Sequence, residues 1–121
     1  MTLDIHRIVV GPLQVNCFLL MDSSTREAAL VDPGGDPAVI LDTIEQNNAH
    51  VKSIVLTHAH GDHIGAVDEV RSHTSAEVVI HEAEGEWLEE PSLNLSSLLG
   101  MPVTARAADR FIGDGDSLQI G

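Results

Sequence analysis

Apolar runs of strand spacing alternate with runs of helical spacing along this chain. Leu3 to Val10 and Val15 to Met21 predict two strands separated by Gly11-Pro12. Glu27 to Val31 predicts a third, after the polar turn Asp22-Ser-Ser-Thr25. Asp32-Pro-Gly-Gly35 then breaks the pattern. Asp36 stands where a helix N-cap belongs, with Pro37 at the first helical position, where its missing N–H costs nothing. Ile40, Leu41 and Ile44 give that helix one buried face, which ends near Asn47-Asn48. Val51 to Leu56 predicts a buried β-branched strand.

A second helix is expected from Ile64 or Gly65 to His73, with Val67 and Val70 inward, and Glu77 to His81 reads as another strand. Glu82 to Glu90 holds five glutamates and no basic residue. It predicts a solvated helix anchored by Trp87 and Leu88, acidic side chains being favourable in a first turn. Residues 91–109 read as mixed loop and short helix, and Gly113-Asp-Gly-Asp116 signals a hairpin within Phe111 to Gly121. No internal repeat or low-complexity tract interrupts the order. Strands and helices in this alternation imply a layered α/β architecture, α+β by some schemes.

Length and charge narrow the possibilities. The chain has 121 residues, which suits one domain with a modest core. With 6 Lys+Arg against 19 Asp+Glu the formal charge is −13, which repels phosphate backbones and argues against nucleic acid. The longest uncharged stretch, Ile8 to Met21, contains Gly11, Pro12, Gln14 and Asn16 and is too short and polar to span a bilayer. No basic start with an apolar segment and a small-residue cleavage site precedes Asp4. A lone Cys17, in the apolar run Val15 to Leu20, reads as a small buried hydrophobe; a nucleophilic role lacks an adjacent base. These features lead us to expect a reducing cytoplasm and no membrane partner.

The densest chemistry lies in Thr-His-Ala-His-Gly-Asp-His-Ile-Gly, residues 57–65. His58, His60, Asp62 and His63 carry more metal-binding capacity than packing requires. Imidazole and carboxylate together suit zinc, with iron or manganese as alternatives. Residues two apart in extended backbone point the same way, so His58 and His60 can address one ion. Gly61 permits a change of direction, after which Asp62 and His63 are placed to address a second. Two metals about 3.5–4 Å apart can polarise a carbonyl and hold hydroxide at neutral pH. A solvated histidine or an Asp-His turn explains two of these residues, not all four.

His58-x-His60-x-Asp62-His63 after a hydrophobic strand ending in Thr57 resembles the signature of the metallo-β-lactamase fold superfamily. Asn16-Cys17, Val31-Asp-Pro-Gly-Gly35 and the helix at Gly65 are similar to its glyoxalase II-like members, so the resemblance spans essentially the whole chain. It implies the N-terminal portion of an αββα sandwich with a metal pair at one edge. His58 and His60 would bind the first metal, Asp62 and His63 the second, and Asp62 would also steer the hydroxide that attacks substrate. Asp32 would accept an imidazole N–H beneath the ligands, or else serve as a turn carboxylate for the Pro33-Gly34 bend.

The resemblance also implies three further ligands, a histidine, a bridging aspartate and a second histidine, the first following a Thr-Pro-Gly-His-like turn that does not occur here. His73 and His81 are weak substitutes, and His6 and His50 read as surface residues. The expectation is an incomplete domain over residues 1–121. Such a piece should bind zinc weakly and self-associate through its open sheet. In function the resemblance implies a zinc hydrolase, with two ions per complete site, acting on a small thioester or related acyl compound. The rivals are an iron-dependent persulfide dioxygenase of the same fold and a non-catalytic metal-binding half-domain.

Overall fold

A computed structural model describes residues 2–57, 59–96 and 103–120. They form a six-stranded sheet in sequential order: β1 Leu3–Val10, β2 Val15–Asp22, β3 Glu27–Val31, β4 His50–Val55, β5 Glu77–His81 and β6 Arg110–Ile112. β1, β2 and β3 pair antiparallel as a meander, whereas β3 to β6 run parallel. Parallel neighbours need crossovers, and two helical segments supply them. Helix α1 (Pro37–Gln46) links β3 to β4, and α2 (Gly61–Ile64) with α3 (Val67–Thr74) links β4 to β5. The α/β class and most element positions expected from the apolar pattern are those observed.

Both long helices cover one face of the sheet. Ile40 and Ile44 of α1 and Val67 and Val70 of α3 pack with Leu19, Met21, Leu30, Ile54, Val78 and Ile80 in one buried cluster. Those sheet residues recur at spacing two, as one face of a pleated strand must. The other face is thinly covered at its edge: on β1, Leu3, Ile5 and Val9 are exposed, Ile5 by 61%. Among the described residues no helix is long and apolar enough to cross a membrane.

Four expectations need correction. The helix expected from Ile64 or Gly65 is split, because Ala66 N–H donates to Pro33 O (2.9 Å) instead of to a carbonyl of its own helix. The helix expected over Glu82 to Glu90 forms only over Glu82–Leu88 and is a 3-10 helix, with Leu88 buried. The Gly113–Asp116 turn does form, closed by Gly113 N–H to the Asp116 carboxylate (2.8 Å). No hairpin follows: residues 117–120 are irregular, and Phe111 instead lies in a parallel strand opposite Ile80. Asp36 does occupy the N-cap position of α1, but in left-handed backbone (φ 49°) and with no side-chain cap. Its carboxylate accepts from Gly11 N–H instead (3.0 Å).

Candidate metal centre

The parallel strands β3, β4 and β5 all end at one edge of the sheet, where open α/β sheets gather their chemistry. β3 leads to Asp32 there, and β4 leads to Thr57 and on towards His60. Asp32 is 4% exposed and adopts a left-handed backbone (φ 53°), uncommon for a residue with a Cβ. Three contacts hold it so. Its N–H donates to Val55 O (3.1 Å), Thr57 N–H donates to Oδ1 (2.8 Å) and Thr57 Oγ1 donates to Oδ2 (2.5 Å). A strained, buried carboxylate persists where its surroundings over-determine it, and such places cluster at functional sites.

What Asp32 faces is His63. The imidazole Nδ1 lies 3.0 Å from Asp32 Oδ2, an ion-pair distance with an angle bent from a straight hydrogen bond. The attraction between ring N–H and carboxylate survives that bend. It favours the tautomer with the proton on Nδ1 and a lone pair on Nε2. Nε2 in turn lies 3.5 Å from Asp62 Oδ2. Two donors about 2.0–2.2 Å from one tetrahedral ion stand about 3.3–3.6 Å apart, so this pair has the spacing of two donors sharing an ion.

Glycines let the loops approach closely enough to build this arrangement. A Cβ on Gly34 would sit 2.0 Å from the Asp62 carbonyl oxygen, and one on Gly65 would sit 2.3 Å from Gly34 O. The 33–35 loop and α2 therefore meet backbone to backbone, which brings Asp32 beneath His63. Gly61 has a different role from the one expected. Its backbone is not left-handed; a Cβ there would meet Ser96 Cβ at 2.6 Å, and Gly61 N–H donates to Asn94 O (2.7 Å). The glycine is required by a close neighbour rather than by a bend.

The other half of the motif is held from elsewhere. His60 is extended (φ −67°, ψ 145°) just before α2, and its ring stacks on Trp87 at 5.9 Å and 9°. Ala59 N–H donates to Glu84 Oε1 (3.1 Å). Sequence reasoning missed both contacts, although the chain's single tryptophan within a glutamate-rich segment was a usable signal. His58 lies outside the described residues. Among the described residues no three histidine, cysteine or carboxylate groups converge to enclose an ion. The fit to a divalent cation thus rests on the Asp62–His63 pair and the carboxylate behind it.

The remaining candidates lie away from this pair. His73 Nδ1 is 2.9 Å from Glu69 O on its own helix. His50 and His73 line a separate hollow of about 370 Å³ near the start of β4. His81 Nδ1 accepts from Ala83 N–H (3.0 Å) while Nε2 faces Asp114 at 3.6 Å. Cys17 is fully buried, and burial together with the nearby Asp32 charge pushes its thiol up to about 12. A thiol so protonated is no nucleophile at neutral pH.

A strand-end His-x-Asp-His run with a buried aspartate behind it, on a sheet with helices over one face, belongs to a defined class of protein. The family model of the metallo-beta-lactamase superfamily matches residues 10–121, and the chain is a member of that superfamily. It is 44% identical over 118 residues to the probable metallo-hydrolase YqgX of Bacillus subtilis (strain 168), covering 96% of this chain and 54% of that protein. It is 30% identical over 120 residues to the hydroxyacylglutathione hydrolase GloC of Haemophilus influenzae, covering 98% and 56%. The crystal structure of the B3 metallo-beta-lactamase BLEG-1 superposes with a TM-score of 0.90 at 42% identity, covering 98% of this chain and 57% of that one. The chain thus spans about half the length of these relatives. Membership implies divalent metal binding, which the Asp62–His63 spacing fits.

Proposed function

We propose that this chain carries part of the metal site of a hydrolase that cleaves a thioester or related acyl compound, with zinc as the first-choice metal. The observation that carries the reading is the Asp62–His63 pair, 3.5 Å apart and backed by Asp32. The name of the GloC relative supports the thioester class. When bound, a divalent cation supplies Lewis-acid polarisation of an acyl carbonyl and hydroxide at neutral pH.

The chain's own residues do the rest. Asp62 and His63 would hold one ion, and His58 and His60 would contribute to its neighbour. Asp32, 3.0 Å from His63 Nδ1, would favour the proton on that nitrogen and so leave Nε2 available to a metal. Thr57 holds Asp32 by two hydrogen bonds, which fixes the carboxylate before any ligand arrives. Asp62, as one of the residues that would hold the ion, would also orient a hydroxide supplied there.

Thioester cleavage by metal-loaded protein, followed by release of thiol, tests this reading. Turnover that chelation abolishes and zinc restores is the expected result. Failure of the complete hydrolase, loaded with zinc, iron or manganese, to cleave any acyl thioester overturns it. Oxygen uptake with persulfide by the iron form moves the assignment to a dioxygenase.

A further inference from the structure

Beyond the 3-10 helix that carries Trp87, the chain buries two polar side chains. Asn94 and Ser96 are each 0% exposed, while Leu95 between them is 42% exposed and in left-handed backbone (φ 66°). A leucine so placed is strained, and strain of this kind persists where neighbouring contacts over-determine it. Asn94 makes those contacts. Its Nδ2 donates to Trp87 O (2.9 Å) and to Val103 O (2.8 Å), and its Oδ1 accepts from Ser96 N–H (3.0 Å). Both amide hydrogens are used on carbonyls, so the reversed amide would set oxygen against oxygen. The side chain has one orientation.

The backbone of the same residue reaches the metal motif. Asn94 O accepts from Gly61 N–H (2.7 Å), the first amide of α2, for which a helix has no carbonyl of its own. A Cβ on Gly61 would lie 2.6 Å from Ser96 Cβ and 3.6 Å from Asn94 Oδ1, so the two segments meet closely there. On one side of this junction stands His60, whose ring stacks on Trp87. On the other stand Asp62 and His63, carried by α2. Asn94 therefore grips both supports at once, Trp87 through its side chain and Gly61 through its carbonyl.

We propose that Asn94 is a positioning residue of the metal centre, joining the indole seat of His60 to the helix start that bears Asp62 and His63. The inference rests on divalent-metal binding at this centre and not on thioester cleavage. Without the amide, two buried carbonyls lose their donors, a cost that a side chain of the same volume does not remove. An aspartate of the same shape would present only acceptors to both. The Trp87 and Val103 backbones would then part, and the indole would shift against the His60 ring. The two halves of the motif have separate supports, and Asn94 is where those supports are held in register.

Two readouts test this, one of them without metal. In the metal-free protein the Trp87 indole should shift the carbon-bound protons of the His60 ring upfield in the NMR spectrum. Asn94→Ala should move them back downfield, and Asn94→Asp should do the same. Ser96→Ala loosens the same loop at Val103 alone and should leave them in place. Zinc titration is the second readout. Asn94→Ala should weaken binding about 2- to 30-fold, the range for residues that bias a site through their neighbours. Because part of that loss passes through Trp87, the double variant Asn94→Ala/Trp87→Leu should lose less than the product of the two single losses. His60 protons unmoved by the Asn94 substitutions, or losses that multiply, overturn the proposal. If Asn94→Ala does not fold, Asn94→Ser, too short to reach both carbonyls, carries both measurements. If zinc does not bind, the metal reading fails and the His60 protons decide alone. Moved, they uphold Asn94 as the residue that seats His60; unmoved, they overturn it.

Discussion

His60 and His63 stand three positions apart in the motif, yet they are held by different physics. His63 rests on a buried carboxylate at the end of β3, itself fixed by Thr57 and by its own strained backbone. His60 rests on the face of an indole carried by a 3-10 helix, next to a backbone N–H that binds Glu84. The first support is electrostatic and comes from the sheet. The second is dispersive and comes from a surface segment anchored by Leu88. The two halves of one motif should therefore fail separately and by different amounts.

The largest effect should come from the donors themselves. Asp62→Ala or His63→Ala should abolish stoichiometric metal binding at their half of the site, read by calorimetry or by cobalt absorption. Even unmutated, the isolated chain should bind zinc more weakly than micromolar, because tight sites use three or four protein ligands. Nanomolar affinity for the 121-residue chain would show that the described donors converge more completely than Asp62 and His63 alone.

Removing the support behind His63 comes next. Asp32→Ala should lower metal affinity about 10- to 100-fold, since outer partners of ligating imidazoles carry that much. Trp87→Leu should cost less, about two- to tenfold, because an aromatic pair contributes about 0.5–1.5 kcal/mol beyond its area. Trp87→Phe should recover most of that loss, which a merely unfolded segment would not allow. Equal losses from Asp32→Ala and Trp87→Leu would erase the distinction between the two halves.

The same contrast explains what was legible in the sequence. The His63 half rests on Asp32, at the end of a strand whose apolar run declares itself locally. Asp32 could be placed beneath the ligands because Asp-Pro-Gly-Gly ends a strand in plain view. Both halves use contacts between residues 25 or more apart, but Glu84 and Trp87, which seat Ala59 and His60, stand in a segment with no strand end to mark it. The acidic start of Glu82 to Glu90 predicts a helix, while the role of that segment in seating His60 appears only in three dimensions. At Gly113-Asp-Gly-Asp116 the turn itself was legible, while the pairing of β6 with β5, more than 30 residues away, was not. Gly61 was legible as necessary, but the reason lay in Ser96, a neighbour across the loop.

Asp32 also has a rear side, and the smallest predicted effect tests it there. Behind it, Cys17 is pushed up from 9.0 to about 12, first by burial and then by the Asp32 charge. A thiol with a raised folded-state pKa contributes stability that is complete below pH 9 and is lost as pH rises towards 12, because only the unfolded chain sheds its proton there. At pH 10 the loss is about 1.4 kcal/mol relative to neutral pH. The chain has no tyrosine to obscure it. Urea unfolding at pH 8 and pH 10 should show this fall, and Cys17→Ala should remove it. Asp32→Asn should shrink it by only a fraction of its size, since burial remains the larger cause. An unchanged alkaline slope in Asp32→Asn would mean that the carboxylate acts on His63 alone, and the charge assigned to it would then have to be read entirely from the metal side.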